Sequence, residues 1–411
     1  MKGYLHLIIS RKSKIKNCLI FLLFFFVVQT VFASEPSDEI IAPRRLFIGA
    51  NAQRGYMFDT RESTVIQNQY ISLDLRVGLQ TDDFDRDVYD RLFRYPHYGV
   101  GLYMGNLDRI VLGDENQAGL GKPLALYAFF ASPVVRSDRF CVYYDFSLGL
   151  ARNFNTYHPH IQPYNLFIST NNNVYLNMQF RAEFALFERS ALGFGVSLQH
   201  FSNASLQEPN IGVNLVSGTL TYRAGLYKNH EKSYNRFPVE AYSPTWELLF
   251  SWANGARMLY SDFDRSSDQQ KTKRWYSTSL STAALIQTSH RRKLGAGLDL
   301  FYFDWGRHLK EYRAKRREIQ TTTRLRDNMS IGAFVAHEVN YKKIWFVSNV
   351  GFYLNDRIGD RPQNMWIYER VGVCYQINKR FSAGLLIKAH LLIADHAELT
   401  VRYSVIQSGA K

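Results

Sequence analysis

The sequence predicts an all-β protein, a transmembrane antiparallel outer-membrane β-barrel of roughly 14 strands, within a range of about 12 to 16. Three observations predict it. Aromatic residues make up 15% of the chain, with 26 Tyr and 29 Phe, beside a charged fraction of only 21%. A water-soluble sandwich hides its aromatics, whereas outer-membrane barrels display them in girdles at both interfaces. Segments of about ten residues, alternating apolar with polar or small side chains, recur from Arg45 to Ile406, which is the period of a strand with two unlike faces. Beyond the N-terminal region, no stretch approaches the roughly 20 apolar residues that a spanning helix needs.

The N-terminal region reads as an export signal. Lys2, Arg11, Lys12, Lys14 and Lys16 precede an apolar run from Cys18 to Val28, and Val31-Phe32-Ala33 supplies a small-residue cleavage site. The apolar run is too short to span a bilayer. The expectation is therefore a signal peptide over 1–33 and a single outer-membrane barrel domain over 34–411, placed in the outer membrane of a Gram-negative cell. Removing the signal takes away five of the 50 Lys+Arg and none of the 36 Asp+Glu, which leaves a net charge of +9. In an exported chain with its charges scattered over turns, this basicity excludes nucleic acid as the partner and suits anionic lipid headgroups. Cys18 leaves with the signal. Cys141 and Cys374 sit in strand-like runs as small hydrophobes, and no bridge is expected between them.

The alternating segments, in order, are 45–58, 70–80, 97–105, 124–135, 139–154, 174–187, 192–201, 212–227, 245–259, 275–287, 293–305, 329–341, 344–354, 366–377, 381–392 and 397–406. FERS (187–190) and NKR (378–380) read as tight periplasmic turns. The polar stretches 107–122, 155–173, 228–243 and 261–273 read as outer loops, and the basic stretch 307–326 as a charged loop. No Gly/Ser linker interrupts the pattern.

One strand ends unexpectedly. LGFGVSLQHFSNASLQEPN (192–210) begins with an apolar row at Leu192, Phe194, Val196 and Leu198, and the same parity then carries His200 and Ser202. Residues two apart in a strand share a face, so both polar side chains continue the outward row near one interface. In the following strand Asn214 has the outward parity too. His and Ser at i and i+2 are within reach of a hydrogen bond once their side chains lean together. In that pairing His200 serves as general base for a Ser202 nucleophile attacking an acyl carbonyl. Asn203 and the backbone of the 203–205 turn, with Ser205, are the candidates for stabilising the oxyanion. His-x-Ser alone also fits an ordinary interfacial turn. His158-Pro159-His160 is too isolated to hold a metal, and neither metal nor cofactor is expected.

The run HFSNASLQEPNIGVN (200–214) resembles the site of the outer-membrane lipid A 3-O-deacylases, the PagL-like acyloxyacyl hydrolases, in which His-x-Ser-Asn-Ala/Gly is followed by Pro-Asn-x-Gly. LDLRVGLQT (73–81), YPHYGVGLYMGNL (95–107), GKPLALYAFFASPVV (121–135) and HPHIQPYNLFIST (158–170) resemble longer members of that family, so the likeness covers roughly 70–230. The resemblance implies a serine esterase that removes the 3-O-linked acyl chain of lipid A in lipopolysaccharide, with Ser202 as nucleophile, His200 as base and Asn203 at an oxyanion position. Smaller members place a Glu twelve residues after the Ser, to orient the His; this chain has Asn214 there, and Glu208 is the alternative carboxylate. The competing expectation is an inactive barrel acting as a channel or structural protein; a phospholipase is a weaker third.

Overall fold

The computed structural model describes residues 45–58, 64–81, 87–137, 140–187, 189–226, 239, 241–259, 262–263, 273–355, 366–390 and 393–408. The expected signal peptide and its cleavage point lie outside them.

All sixteen alternating segments form strands. The first eight are β1 (Arg45–Phe58), β3 (Tyr70–Gln80), β4 (His97–Asn106), β6 (Gly121–Arg136), β7 (Phe140–Phe154), β8 (Asn173–Phe187), β9 (Ser190–Ser202) and β10 (Val213–Gly225). Two short strands, β2 (Val65–Asn68) and β5 (Ile110–Leu112), pair separately between loops. The second eight are β11 (Thr245–Arg257), β12 (Trp275–Ser289), β13 (Arg292–Phe303), β14 (Met329–Tyr341), β15 (Ile344–Tyr353), β16 (Ile367–Gln376), β17 (Phe381–His390) and β18 (Ile393–Ser408).

The fold class is the one expected, but the strands close as two rings of eight rather than one of roughly 14. The reason lies in the pairing partners. β10 returns to β1, in register from Phe47↔Gly225 to Phe58↔Asn214, which leaves no free edge for β11. β11 pairs with β18 instead, from Thr245↔Ser408 to Ala256↔Ala397. Alternation fixes which face a residue takes, not which strand lies beside it, so it did not distinguish one closure from two.

The Gly225 N–H donates to the Arg189 carbonyl at 2.7 Å, so β10 ends beside the tight 187–190 turn. Most of the stretch 228–243, expected as an outer loop, lies outside the described residues. One connection differs from expectation. Within 307–326, the charged loop is in part a helix, which follows α1 (Val88–Leu92) in the chain as α2 (Gly306–Arg316). The turn at 378–380 is as expected, with Asn378 Oδ1 accepting from the backbone N–H groups of Arg380 and Phe381 at 2.8 and 2.9 Å.

Each barrel turns its apolar row outward and fills its lumen with paired charges. On β3, Ile71, Leu73, Leu75 and Val77 are exposed while Ser72, Asp74 and Arg76 are buried. Asp74 accepts from Asn51, Gln53 and Tyr127 at 3.1, 2.6 and 3.2 Å. Asp145 binds both Arg76 and Arg181, and Glu183 binds Arg181 and Arg223 at 2.8 and 3.0 Å. In the second barrel Asp299 accepts from Tyr368 and Arg370 at 2.5 and 2.8 Å, and Lys388 donates to Tyr353 and Asp395 at 2.7 and 3.2 Å. Eight strands enclose just enough space for side chains, and a buried charge must be paired there. Both lumens are thus plugged rather than open bores among the described residues. Cys141 and Cys374 are free and buried, as expected.

Candidate functional site

The site lies at the end of the first barrel away from the tight turns, where β9 ends and β10 begins. It is built on the residue between its two polar side chains. Phe201 points inward and is fully buried, with its ring centroid 5.1 Å from Tyr175, 5.3 Å from Phe154 and 5.7 Å from Tyr103. Burying such a ring stabilises by about 1.5–3 kcal/mol, and it fixes the face on which His200 and Ser202 emerge. That face is the outer wall, shared with the exposed Phe194 and Val196.

Register then brings the partners together. His200 lies directly opposite Asn214 in the β9–β10 pairing. The His200 Nδ1 is 2.7 Å from Asn214 Oδ1, and His200 Nε2 is 2.9 Å from Ser202 Oγ. A carboxamide oxygen can only accept, so the proton sits on Nδ1 and the Nε2 lone pair faces the serine hydroxyl. The three sequence-predicted residues form one hydrogen-bonded chain. Such a chain is able to draw a proton from a hydroxyl as its oxygen attacks an electrophile.

Gly212 makes room for the imidazole. Its φ is +85°, and a Cβ there would lie 2.6 Å from His200 Cε1. No other residue type meets both conditions without displacing the ring.

The structure gives the remaining predicted residues different surroundings. The Asn203 carboxamide N–H groups donate to Ser169 Oγ, Thr170 Oγ1 and the Gln207 carbonyl at 3.2, 3.1 and 3.0 Å. Its backbone N–H donates to Asn210 Oδ1 at 3.0 Å. Asn203 is thereby tied into the loop that follows Ser202 and into the 155–173 loop. Ala204 and Ser205 are buried in left-handed conformation, with φ of +53° and +60°. Glu208 is buried, and its carboxylate accepts from the Asn210 N–H at 3.1 Å; the group meeting Nδ1 is Asn214. His158 Nδ1 accepts from the backbone of His160 and Ile161, both at 3.3 Å. Among the described residues, no group of three or more His, Cys, Asp or Glu is arranged to hold a metal ion.

Sequence reasoning missed the supports of this loop. Ser169, Thr170 and Gln207 hold Asn203, and the Ile211 and Gly212 N–H groups donate to the carbonyls of Leu166 and Phe167 at 3.2 and 3.0 Å. Asn210 and Gly212 were visible only as parts of Pro-Asn-x-Gly. Nothing in the local sequence announces that a loop some forty residues upstream buttresses it.

Comparison with known proteins divides the chain as the fold does. The family model described as lipid A 3-O-deacylase (PagL) matches residues 75–223, and that described as acyloxyacyl hydrolase, C-terminal domain, matches 246–408. No protein of curated function matches. Among solved structures, the outer membrane enzyme PagL is 17% identical and covers 43% of this chain and 98% of its own, with a TM-score of 0.28. Neisserial surface protein A is 11% identical over 44% of this chain and 99% of its own, also with a TM-score of 0.28. A porin is 9% identical over 88% of this chain and 100% of its own, with a TM-score of 0.16.

Proposed function

Because the chain belongs to the outer-membrane lipid A 3-O-deacylase family, in a longer form that also carries an acyloxyacyl hydrolase C-terminal domain, we propose that it is a serine esterase releasing the 3-O-linked acyl chain from lipid A of lipopolysaccharide. The observation that carries this reading is the hydrogen-bonded chain Ser202–His200–Asn214 on the outer wall. On this reading the wall faces lipid, and the substrate's acyl chains lie along Phe194, Val196 and Leu198 below the serine, so the bilayer itself presents the ester.

His200 Nε2 takes the Ser202 proton as Oγ attacks the ester carbonyl. The tetrahedral oxyanion is met by the backbone N–H groups of Ala204 and Ser205, since both the carboxamide and the backbone N–H of Asn203 are already committed to the loop. Collapse breaks the ester C–O bond, and the proton on Nε2 passes to the departing sugar oxygen. Water, deprotonated by His200, then cleaves the acyl-serine and frees the fatty acid. Asn214 holds the tautomer throughout. No metal or cofactor enters any step.

Mass spectrometry of lipid A from expressing cells tests the proposal. Wild type is expected to lack one hydroxyacyl chain, and Ser202→Ala and His200→Ala to retain it while migrating as folded barrels. An unchanged acyl pattern with folded wild-type protein would return the chain to a structural role. The lumens' paired charges give a channel reading no support.

A further inference from the structure

The loop end of the second barrel carries a surface that ester cleavage does not use. Residues 306–328 hold eight Lys and Arg against three Asp and Glu, a net charge of +5. The inner side of α2 is tied into the barrel mouth. Leu309 and Trp305 are buried in a cluster with Trp275 and Phe303, the Arg307 N–H donates to Asn328 Oδ1 at 2.8 Å, and Lys310 pairs with Asp327 at 2.9 Å. At Gly306 a Cβ would sit 2.0 Å from the Asp327 carbonyl oxygen, so helix and following turn are in close backbone contact. The result is a fixed platform rather than a free tail.

Its outer side is cationic. Arg307, Lys315, Arg316, Arg317, Arg324 and Arg326 are exposed, and none forms an ion pair among the described residues. Apolar side chains flank them: Ile319 and Leu325 are 57% and 62% exposed, and Leu325 is followed by Met329 and Ile331, which begin the outward apolar row of β14. Cations standing where an apolar wall ends occupy the level of lipid headgroups. Holding so many like charges together unpaired is unfavourable unless anions meet them.

We propose that this segment binds the phosphate groups of lipid A in the outer leaflet and holds the second barrel's mouth against the headgroup layer. The inference rests on the outer-membrane and lipid A reading above, but not on the chemistry of Ser202. The surface is electrostatic, so lysine serves as well as arginine. Each cation near an anionic surface is worth about fivefold in affinity, and four together on the order of a hundredfold at low salt once screening is allowed for.

The test uses the full-length protein in detergent, in a Ser202→Ala background so that turnover plays no part. Binding is measured to micelles of bis-phosphorylated lipid A and of dephosphorylated lipid A. Combining Arg316→Gln, Arg317→Gln, Arg324→Gln and Arg326→Gln is expected to weaken binding to the phosphorylated form about a hundredfold and to leave the dephosphorylated form unchanged; the four Lys replacements keep the affinity. Heat-modifiable gel migration reports folding of each variant. Equal binding of parent and Gln variant to phosphorylated lipid A overturns the proposal, as does equal binding of the parent to both lipids, or loss of affinity in the folded Lys variant. None of these outcomes depends on whether the protein deacylates.

Discussion

Asn214 is where the proposed mechanism is most open to measurement. The Asn214→Asp substitution exchanges an NH2 group for an oxygen at nearly constant shape, so the 2.7 Å contact to His200 Nδ1 is preserved. What changes is the partner of the imidazolium formed as Ser202 gives up its proton. A hydrogen bond to a neutral acceptor contributes about 0.5–1.5 kcal/mol, and one between charged groups about 1.5–3 kcal/mol. The gain is about 1–2 kcal/mol and is realised mainly when the ring is charged, which is in the transition state. It corresponds to a rate increase of about 5- to 30-fold. Asn214→Leu keeps the bulk and removes the acceptor. The ring then loses both its fixed tautomer and its orientation, and activity is expected to fall about 100- to 10,000-fold. The assay is the initial rate of fatty-acid release from purified lipid A in detergent, with kcat and KM determined separately. The effect belongs in kcat, because Asn214 touches the base and not the acyl chain. A folded Asn214→Asp protein no faster than wild type, together with an Asn214→Leu protein of undiminished kcat, would refute the assignment of Asn214 as the orienting group.

Three further outcomes follow from the same structure. Gly212→Ala is expected to lose at least about 100-fold in activity and about 1–3 kcal/mol in stability, from the positive φ and the displaced imidazole together; kinetics and urea unfolding in detergent read the two effects. Asp145→Ala strips a shared carboxylate from Arg76 and Arg181 in the first lumen and should destabilise by about 3–5 kcal/mol, whereas Leu220→Ala, on the exposed outer face, should cost far less in the same unfolding assay. A chain ending at residue 240 retains every strand of the first ring, including the β1–β10 closure, and is expected to refold in detergent to a heat-modifiable species that still releases fatty acid.

The strands were legible because a barrel wall imposes a period of two that survives in sequence: every one of the sixteen alternating segments is a strand, displaced by a few residues at most. Pairing was not legible. The last residues of β10 and the first of β11 carry the same kind of pattern, and nothing in either says that one strand turns back to Arg45–Phe58 while the other waits for Ile393–Ser408. Helix α2 was obscured for a different reason. Its anchors, Trp305, Leu309 and Ala314, are too few to make an apolar stripe, and they are recognisable only against the rings they cover.

The core of the candidate site was legible because His200, Ser202 and Asn214 share one parity, but parity is necessary and not sufficient. A slip of one residue in the β9–β10 hairpin would send Asn214 to the lumen face and leave His200 opposite an inward-facing residue. Three constraints hold the register. Phe201 must enter the aromatic cluster, Gln199 reaches over β10 on the lumen side to Gln53 at 2.8 Å, and β10 is pinned on its far side by twelve successive partners in β1. Gln53 belongs to β1, so the contact that keeps His200 facing outward exists only because the ring closes after eight strands. In a single larger ring β1 would lie beside a different strand, Gln199 would face a wider lumen, and the hairpin would lose this lock. Closure at eight strands is therefore part of how the candidate site is positioned, and it explains why a serine and a histidine placed on the outside of a wall hold a geometry that enzymes usually build in a cleft.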